Sequence, residues 1–375
     1  MERYYFDHNA TTPVMPEVLE AMLPVMTEVY GNASSIHHFG QAARQKLDSA
    51  RVQVAAMLGA DPQEIVFTSG GTEADNLAIF GAGAGGHVVT TAFEHPAVLA
   101  AAETLNHTIV PVDGRGLVDP DEVRRAVRAE TKVISVMHAN NELGTIQPIE
   151  EIARVAAEAG VLLHSDGVQA AGKIPVNVRN LGVALYSISA HKVGAAKGVG
   201  ALYVRKGTPI QPMLHGGRHE RGRRAGTENV AGAVALGRAA EWLAAHGEAE
   251  NRRQEALRDR LEQQILDRIP GTRVNGAGAP RVPNTTNIRF DGIDSDALLI
   301  ALDLKGFAVS SGAACSSGAP EPSHVLLAIG LNRLEARSSI RFSLGRSNTV
   351  EQVDALVEAL AESVAHLRKL SPAYA

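Results

Sequence analysis

The sequence lacks several features, and each absence excludes a class of protein. It has one cysteine, Cys315, in 375 residues, which excludes an internal disulfide framework and a metal site built from several cysteines. No apolar run reaches the roughly 18 residues that a membrane-spanning helix needs. The start, MERYYFDHNATTP, lacks the basic and apolar regions of a signal peptide. We therefore expect a cytoplasmic protein that is not bound to a membrane and holds no metal.

Positive charge is not in excess either. The formal net charge is −5 and the pI is near 6.3, so the chain has no general attraction for nucleic acid. One strongly basic cluster, RHERGRRAGT at 218–227, is by itself most typical of a solvated or nucleic-acid-binding loop. Hydrophobic residues make up 45%, which is ordinary for a globular protein, and the length predicts two domains.

From Glu64 to Asp166, short β-branched runs alternate with stretches of helical character. This βαβ rhythm predicts an α/β fold with a mostly parallel sheet that helices cover on both faces. A long Ala-rich helical stretch, Glu228 to Arg268 with an interruption near Gly247, links the sheet to the last third. That last third contains strands and helices again, which predicts a smaller α/β C-terminal domain.

The run SISAHKVGAAKGVGALYVRKG, residues 187–207, places Lys192 directly after an apolar strand and before a turn of small residues. A lysine amine attacks a carbonyl when it is partly desolvated or lies near another cation, and lysines that bind pyridoxal phosphate through an imine work in this way. A lysine in a glycine-rich turn between two strands is more often part of a solvated loop. Taken alone, this run leaves both interpretations open.

The run TSGGTEADN, residues 68–76, joins the first strand of the βαβ region to its helix. Two glycines let the backbone approach a ligand closely, and Thr72 opens a helix whose N–H groups and dipole favour an anion. The run is typical of a phosphate site, and a tight turn capped by a threonine explains it equally well.

Polar residues follow other strands of the predicted sheet, where open α/β sheets bind their ligands. Asp166 in HSDGVQAAGK is one, and a buried carboxylate there needs a partner such as the protonated pyridine nitrogen of pyridoxal phosphate. Asn141 in MHANNELG offers an amide donor or simply forms a turn. His95 begins a helix, where an imidazole can stack on a flat cofactor, move a proton or have only a structural role.

Two residues of the last third also carry chemistry. Cys315 lies in SSGAACSSGAPEPSH, whose small residues predict an exposed loop. This setting favours a reactive thiol over the buried small hydrophobe that a lone cysteine more often is. Arg341 lies in a predicted strand, SIRFSLG, so a carboxylate or a substrate anion is expected beside its charge.

In their order and spacing, these motifs resemble the pyridoxal-phosphate-dependent cysteine desulfurases, and the long cysteine loop is similar to the NifS and IscS-like group. The resemblance covers about residues 4–346 and rests on YFDHNATTP, GNASSIHHFG, IVFTSGGTEADN, MHANNELGTIQPI, HSDGVQAAGK, SISAHKVGAAKGVGALYVR, RGRRAGTEN, SSGAACSSG and RFSLG. It implies fold type I of the pyridoxal-phosphate-dependent transferases, as in aspartate aminotransferase. It also implies a large cofactor-binding domain over 15–255 and a small domain, 1–14 with 256–375, that carries the cysteine loop.

The resemblance assigns five residues to the ring of the cofactor. Lys192 would bind it covalently, His95 would stack on it, and Asp166 would pair with its pyridine nitrogen. Asn141 and Gln169 would contact the side of the ring that bears the phenolic oxygen.

The resemblance assigns other residues to the phosphate and the substrate. The phosphate would be held by four residues of one subunit: Gly71, Thr72, Ser189 and His191. Thr227 would reach the phosphate from the second subunit of a homodimer, which gives the basic loop a role other than nucleic acid binding. Arg341, with Asn141, would bind the substrate carboxylate, and Cys315 would accept the sulfur.

The implied activity is removal of sulfur from L-cysteine, which gives L-alanine and a persulfide on Cys315. The sulfur would then pass to an iron–sulfur scaffold or a tRNA-thiolating enzyme. A selenocysteine lyase or an aminotransferase on the same fold is the alternative, and a non-catalytic regulator is disfavoured because Lys192, Asp166 and Cys315 are all retained. The sequence departs from the commoner family pattern at four positions, Ala33, Gly167, Ala196 and Ala313, where proline, alanine, proline and serine are more frequent. These small changes put loop rigidity, not chemistry, in question.

Overall fold

The β-branched runs form strands, and the stretches between them form helices. The structure is a computed structural model that describes residues 2–311 and 321–370. Its strands are β1 (Tyr4–Tyr5), β2 (Ile65–Thr68), β3 (His87–Thr91), β4 (Asn106–Val110), β5 (Thr131–Ser135), β6 (Leu162–Asp166), β7 (Leu185–Ser189), β8 (Gly200–Val204), β9 (Thr272–Val274), β10 (Thr285–Phe290), β11 (Phe307–Ala308) and β12 (Ser339–Ser343). Its helices are α1 (Pro16–Thr27), α2 (His38–Leu58), α3 (Gly71–Gly83), α4 (Pro96–Glu103), α5 (Pro120–Ala126), α6 (Ile149–Ala159), α7 (Val230–Arg268), α8 (Ser295–Leu304), α9 (His324–Ala328), α10 (Arg333–Ala336) and α11 (Val350–Leu370).

The central sheet has the strand order β2-β8-β7-β6-β5-β3-β4. Neighbouring strands from β7 to β4 are parallel, whereas β8 is antiparallel to both β2 and β7. Every residue of β7 and β8 is buried, as expected for strands that are covered on both faces. The prediction of a mostly parallel sheet is therefore confirmed.

A second, antiparallel sheet in the last third has the order β12-β10-β9. Its side chains, such as Phe290 and Phe342, pack in a hydrophobic core separate from that of the large sheet. Phe6 belongs to this second core, and β1 pairs with β11, so the N-terminal segment packs with the last third. The division into a large domain over 15–255 and a small domain of 1–14 with 256–375 stays a prediction.

Helix α7 differs from the sequence prediction. It runs from Val230 to Arg268 without a break, so the interruption expected near Gly247 is wrong. An internal glycine costs a helix about 1 kcal/mol relative to alanine. Packing of α7 against α1, α2 and α11 outweighs that cost, because tertiary contacts dominate helix stability. Among the described helices, none has the length and apolar character needed to cross a bilayer.

Candidate active site

The carboxyl ends of the parallel strands bring the predicted residues to one edge of the large sheet. Asp166 ends β6, and Asn141 lies in the loop that follows β5. Lys192 lies in a short 3-10 turn directly after β7, and α3 begins at Gly71 soon after β2. These elements surround a cavity of about 430 Å³.

Ten of the twelve site residues predicted from the sequence line this cavity: Gly71, Thr72, His95, Asn141, Asp166, Gln169, Ser189, His191, Lys192 and Arg341. Thr227 does not line it and is exposed in the loop before α7. Cys315 lies outside the described residues. The lining also includes residues that the sequence analysis did not single out: Asp7, Asn9, Ala10, Asp75, Met137, Val168 and Ser310.

The amine of Lys192 lies at the wall of the cavity. Its Nζ donates to the carbonyl oxygens of Asn9, at 2.5 Å, and Ala10, at 2.8 Å. Burial and the positive charge of Arg341 lower the pKa of Lys192 to about 8, although Asp7 and Asp166 act in the opposite direction. Both conditions for a nucleophilic lysine, partial desolvation and a neighbouring cation, are therefore present at this residue.

Asp166 is enclosed together with the carboxyl groups of Asp75 and Glu94. Its Oδ1 accepts from the backbone N–H of Val168 at 2.9 Å. Burial raises the pKa of Asp166, opposed by the positive charges of His95 and Lys192 and by that N–H. Burial also raises the pKa of Asp75 and of Glu94, and the charge of Asp166 adds to both shifts. A cation bound at Asp166 would relieve this concentration of acids.

The N-terminus of α3 packs directly against the end of β7. A Cβ on Gly71 would lie 2.9 Å from Cγ2 of Val168 and 3.4 Å from Cβ of Ser189. Gly200 on β8 permits a similar approach, since a Cβ there would lie 2.7 Å from the carbonyl carbon of Gly70. The helix N–H groups and the Ser189 hydroxyl therefore stand side by side, as a phosphate site requires.

Arg341 on β12 has the carboxylate partner that the sequence predicts. Its Nη2 donates to Oδ1 of Asp7 at 2.6 Å, and its Nη1 donates to the carbonyl oxygen of Asn141 at 3.1 Å. Asp7 itself was not singled out by the sequence analysis. The only feature of the sequence that could have indicated a role for Asp7 is its place in YFDHNATTP. No local pattern in this segment shows that it packs beside β12.

His95 caps the N-terminus of α4. Its Nδ1 accepts from the backbone N–H of Ala97 at 3.1 Å. Because Nδ1 is an acceptor, the neutral ring carries its proton on Nε2. The free edge of the imidazole therefore offers an N–H donor.

Asn9 connects residues that the sequence analysis treated separately. Its carbonyl oxygen accepts from Nζ of Lys192 and, at 3.0 Å, from Nε2 of Gln169. Its side-chain Nδ2 donates to the carbonyl oxygen of Asn141 and to Oγ1 of Thr285. Asn9 is buried, so these contacts hold the amine, two amide-bearing residues and the last third together.

Known proteins share this sequence and architecture. The family described as Aminotransferase class-V matches residues 4–356. The chain belongs to this family. A cysteine desulfurase of Trichormus azollae is 49% identical, covering 99% of this chain and 95% of its own. The cysteine desulfurase IscS of Methanosarcina thermophila is 48% identical, covering 98% and 93%. A solved NifS-like protein has a TM-score of 0.90 at 38% identity, covering 97% of this chain and 100% of its own.

These relations confirm the predicted family, fold and enzyme class. The chain has the function of a pyridoxal-phosphate-dependent cysteine desulfurase of NifS and IscS type. Enzymes of this type use cysteine and pass its sulfur to acceptor proteins. The cavity residues fit the cofactor by their chemistry: a helix N-terminus beside Ser189 suits the phosphate, the enclosed Asp166 suits a protonated ring nitrogen, and Lys192 supplies the amine.

Proposed function

We propose that the protein removes sulfur from L-cysteine in this cavity and holds the sulfur as a persulfide on Cys315. The proposal rests on one observation: ten residues predicted from the sequence, which come from six separate segments, line the same cavity. The lowered pKa of Lys192 supports its role as the amine that binds the cofactor. The family relation supports the same reaction.

Five residues of the cavity are assigned to the ring of the cofactor. Pyridoxal phosphate, when bound, supplies a ring that stores the electrons left when the α-proton of cysteine is removed. Lys192 would bind the cofactor through its amine and would move that proton. Asp166 would keep a proton on the ring nitrogen, Gln169 and Asn141 would contact the side of the ring that bears the phenolic oxygen, and His95 would stack on the ring.

The phosphate is assigned to residues around the N-terminus of α3. Gly71 and Thr72 at that terminus, with Ser189 and His191, would bind it in one subunit. Helix N–H groups are suited to this task because their dipole favours negative charge and their hydrogens have no partner within the helix.

The substrate side is assigned to Arg341 and Cys315. Arg341, with Asn141, binds the carboxylate of cysteine. The thiolate of Cys315 attacks the sulfur of the substrate, so an S–S bond forms as the C–S bond breaks. The carbon fragment takes up a proton and leaves as alanine, and the persulfide sulfur passes to an iron–sulfur scaffold or a tRNA-thiolating enzyme. A cytoplasmic location stays a prediction.

We also propose a homodimer in which Thr227 reaches the phosphate of the neighbouring site. Exposed apolar side chains on α1, in the segment that follows it and at the start of α2 support this: Leu19, Leu23, Met26, Tyr30, Ile36 and Phe39. The first three share one face of α1 because they are spaced by four and three residues, and such a patch is typical of a protein interface. The exposure of Thr227 agrees with a contact across that interface. A monomer in sedimentation at micromolar concentration would contradict this assembly.

The central experiment separates the cofactor from the thiol. Purified protein should be yellow and should release alanine and, with a reductant, sulfide from L-cysteine in equal amounts. Cys315→Ala should keep the colour and lose sulfide release, because the cofactor site remains while the sulfur has no acceptor. A colourless wild type that takes up no pyridoxal phosphate would overturn the function, and full sulfide release by Cys315→Ala would overturn the role of the thiol.

The same preparations discriminate the alternatives. Cleavage of selenocysteine that survives Cys315→Ala, with little action on cysteine, would favour a selenocysteine lyase. Amino transfer to a 2-oxo acid would favour an aminotransferase. A yellow wild type that turns over none of these substrates would favour a regulator.

A further inference from the structure

Lys173 is a buried lysine that none of the roles above uses. Its Nζ donates to Oε1 of Gln169 at 2.5 Å and to Oδ1 of Asn9 at 2.7 Å. Burial lowers the pKa of Lys173 well below its usual range, and the positive charges of Lys192 and Arg341 lower it further. Neutral amide oxygens and two nearby cations are an unfavourable environment for a charged amine. Its position therefore calls for an explanation in function.

The contact with Lys173 fixes the orientation of the Gln169 side chain. Nζ of Lys173 donates to Oε1 of Gln169, so the oxygen of the Gln169 amide is the atom that faces the lysine. The other end of the amide, Nε2, donates to the carbonyl oxygen of Asn9 at 3.0 Å. A flipped amide would lose the hydrogen bond from Lys173 and would place its oxygen against the Asn9 carbonyl oxygen, a repulsive contact.

This orientation determines what Gln169 presents to the cavity. An amide nitrogen carries two N–H groups, and the contact with Asn9 uses one of them. Gln169 lines the cavity, so the second N–H is the group available to a ligand there. An N–H donor on this wall of the cavity is suited to hydrogen-bond a ligand oxygen that carries negative charge.

Asn9 is held in the same way, which makes the arrangement rigid. Its Oδ1 accepts from Lys173 and, at 3.2 Å, from Nδ2 of Asn284. Its Nδ2 is used by the carbonyl oxygen of Asn141 and the hydroxyl of Thr285. With the Asn9 side chain fixed, its backbone carbonyl is fixed as well, and this carbonyl is the acceptor for both Gln169 and Lys192.

We propose that Lys173 is a positioning residue that orients the Gln169 amide so that an N–H, and not the oxygen, faces the phenolic oxygen of bound pyridoxal phosphate. This inference rests on the cofactor-facing role proposed for Gln169. Lys173 acts through Gln169, since Lys173 itself does not line the cavity.

The test is a pH titration of the visible absorption of the cofactor-loaded enzyme without cysteine. The visible absorption band reports whether a proton is shared between the phenolic oxygen of the cofactor and the lysine nitrogen bound to the cofactor. A hydrogen-bond donor to the phenolic oxygen favours loss of this proton and therefore lowers the pH midpoint of the titration. In Lys173→Met one of the two contacts that orient the amide is lost and the flipped orientation becomes more populated, so the midpoint should rise by up to about one pH unit, the size expected for one hydrogen bond to a charged group. Lys173→Arg keeps a cationic donor and should stay within about 0.3 units of the wild type.

A double-mutant comparison shows whether Lys173 acts through Gln169. In a Gln169→Leu background the midpoint is already raised, and adding Lys173→Met should move it by less than about 0.3 units. An unchanged midpoint in Lys173→Met, or an equal rise in both backgrounds, would overturn the proposal, since the lysine would then act as a distant charge or not at all.

Folding and cofactor uptake are checked separately from this result. Should Lys173→Met not fold, Lys173→Ala takes its place, because the stem of Lys173 borders a second cavity of about 370 Å³ that alanine merely enlarges. A wild type that takes up no cofactor would contradict the proposed function. A yellow Lys173→Met enzyme with an unshifted midpoint would contradict this inference alone.

Discussion

Two groups of buried charge at the active site differ in sign and in how the chain satisfies them. The acidic group consists of Asp75, Glu94 and Asp166, and burial raises the pKa of each carboxyl. Their hydrogen bonds come from neutral donors, such as the Thr91 hydroxyl, 2.6 Å from Oε1 of Glu94. Within the described ranges, Oδ1 of Asp75 and Oε2 of Glu94 have no hydrogen-bond partner, although Nε2 of His164 lies 3.6 Å from Oδ1 of Asp75.

The basic group consists of Lys173, Lys192 and Arg341, and burial lowers the pKa of both lysines. Its acceptors are mainly neutral oxygens of amides and carbonyls, and Asp7 is the carboxylate that binds Arg341. Like charges kept together out of water are costly. The two groups therefore mark places where ligand charge completes the structure: a cationic ring nitrogen at the acidic group, and carboxylate or phenolate oxygens at the basic group.

The contrast between the acidic group and the basic group is tested most strongly at Asp166. Asp166→Asn keeps the size of the side chain and removes the charge that holds the proton on the ring nitrogen. We expect turnover of cysteine to fall by roughly 10²- to 10³-fold, the usual cost of losing one electrostatic contact in a transition state. Alanine release per bound cofactor measures this.

Glu94→Gln is the matched control for Asp166→Asn. It makes the same change from carboxyl to amide within the acidic group, but Glu94 does not line the cavity. We expect turnover within about fivefold of the wild type, since Glu94 lies outside the set that contacts substrate or cofactor. Equal losses in the two variants would mean that the acidic group acts as a unit and that Asp166 has no special role.

Glu94 also predicts a pH dependence of stability. Burial raises its pKa in the folded protein from 4.5 to about 8. Between these values the folded state binds a proton that the unfolded state has lost, so the free energy of unfolding falls as the pH rises through this window. Each pKa unit is worth about 1.4 kcal/mol, so the effect amounts to a few kcal/mol. Thermal midpoints from pH 5 to 8.5 should decline less in Glu94→Gln, and parallel curves would contradict the assignment.

The sequence predicted those site residues that follow from strand order. Alternation of strands and helices predicted a parallel sheet, and the strand-end rule then placed Asn141, Asp166 and Lys192 at one edge. It did not predict Asp7 and Asn9, which contact residues more than a hundred positions away through an N-terminal segment without periodicity. Nor did it predict the burial of Lys173, because lysine is almost always exposed.

At Gly167 the structure gives a different physical reason from the one that the family pattern suggested. The departure from alanine suggested a change in loop rigidity. A Cβ at Gly167 would instead lie 2.0 Å from Cε1 and Cζ of Tyr186, which is fully buried on β7. The Tyr186 hydroxyl lies 2.8 Å from Nδ1 of His138, so the ring cannot move aside without losing that hydrogen bond. Gly167 therefore makes room for a large neighbour.

Of the changes considered, Gly167→Ala should have the smallest effect on the acidic and basic groups. It disturbs the acidic group next to Asp166 and leaves the basic group intact. Forcing a methyl group against Tyr186 should lower the free energy of unfolding by about 1–3 kcal/mol. In Gly167→Ala/Tyr186→Leu the added methyl meets a smaller side chain, so the two changes should be less than additive by about 0.5–3 kcal/mol. Urea unfolding of the two single variants and the double variant measures this coupling. A steric conflict confined to Gly167→Ala and Tyr186 must disappear when the tyrosine ring is removed. Additive losses in the free energy of unfolding would therefore mean that Gly167 is needed for the backbone conformation of the loop.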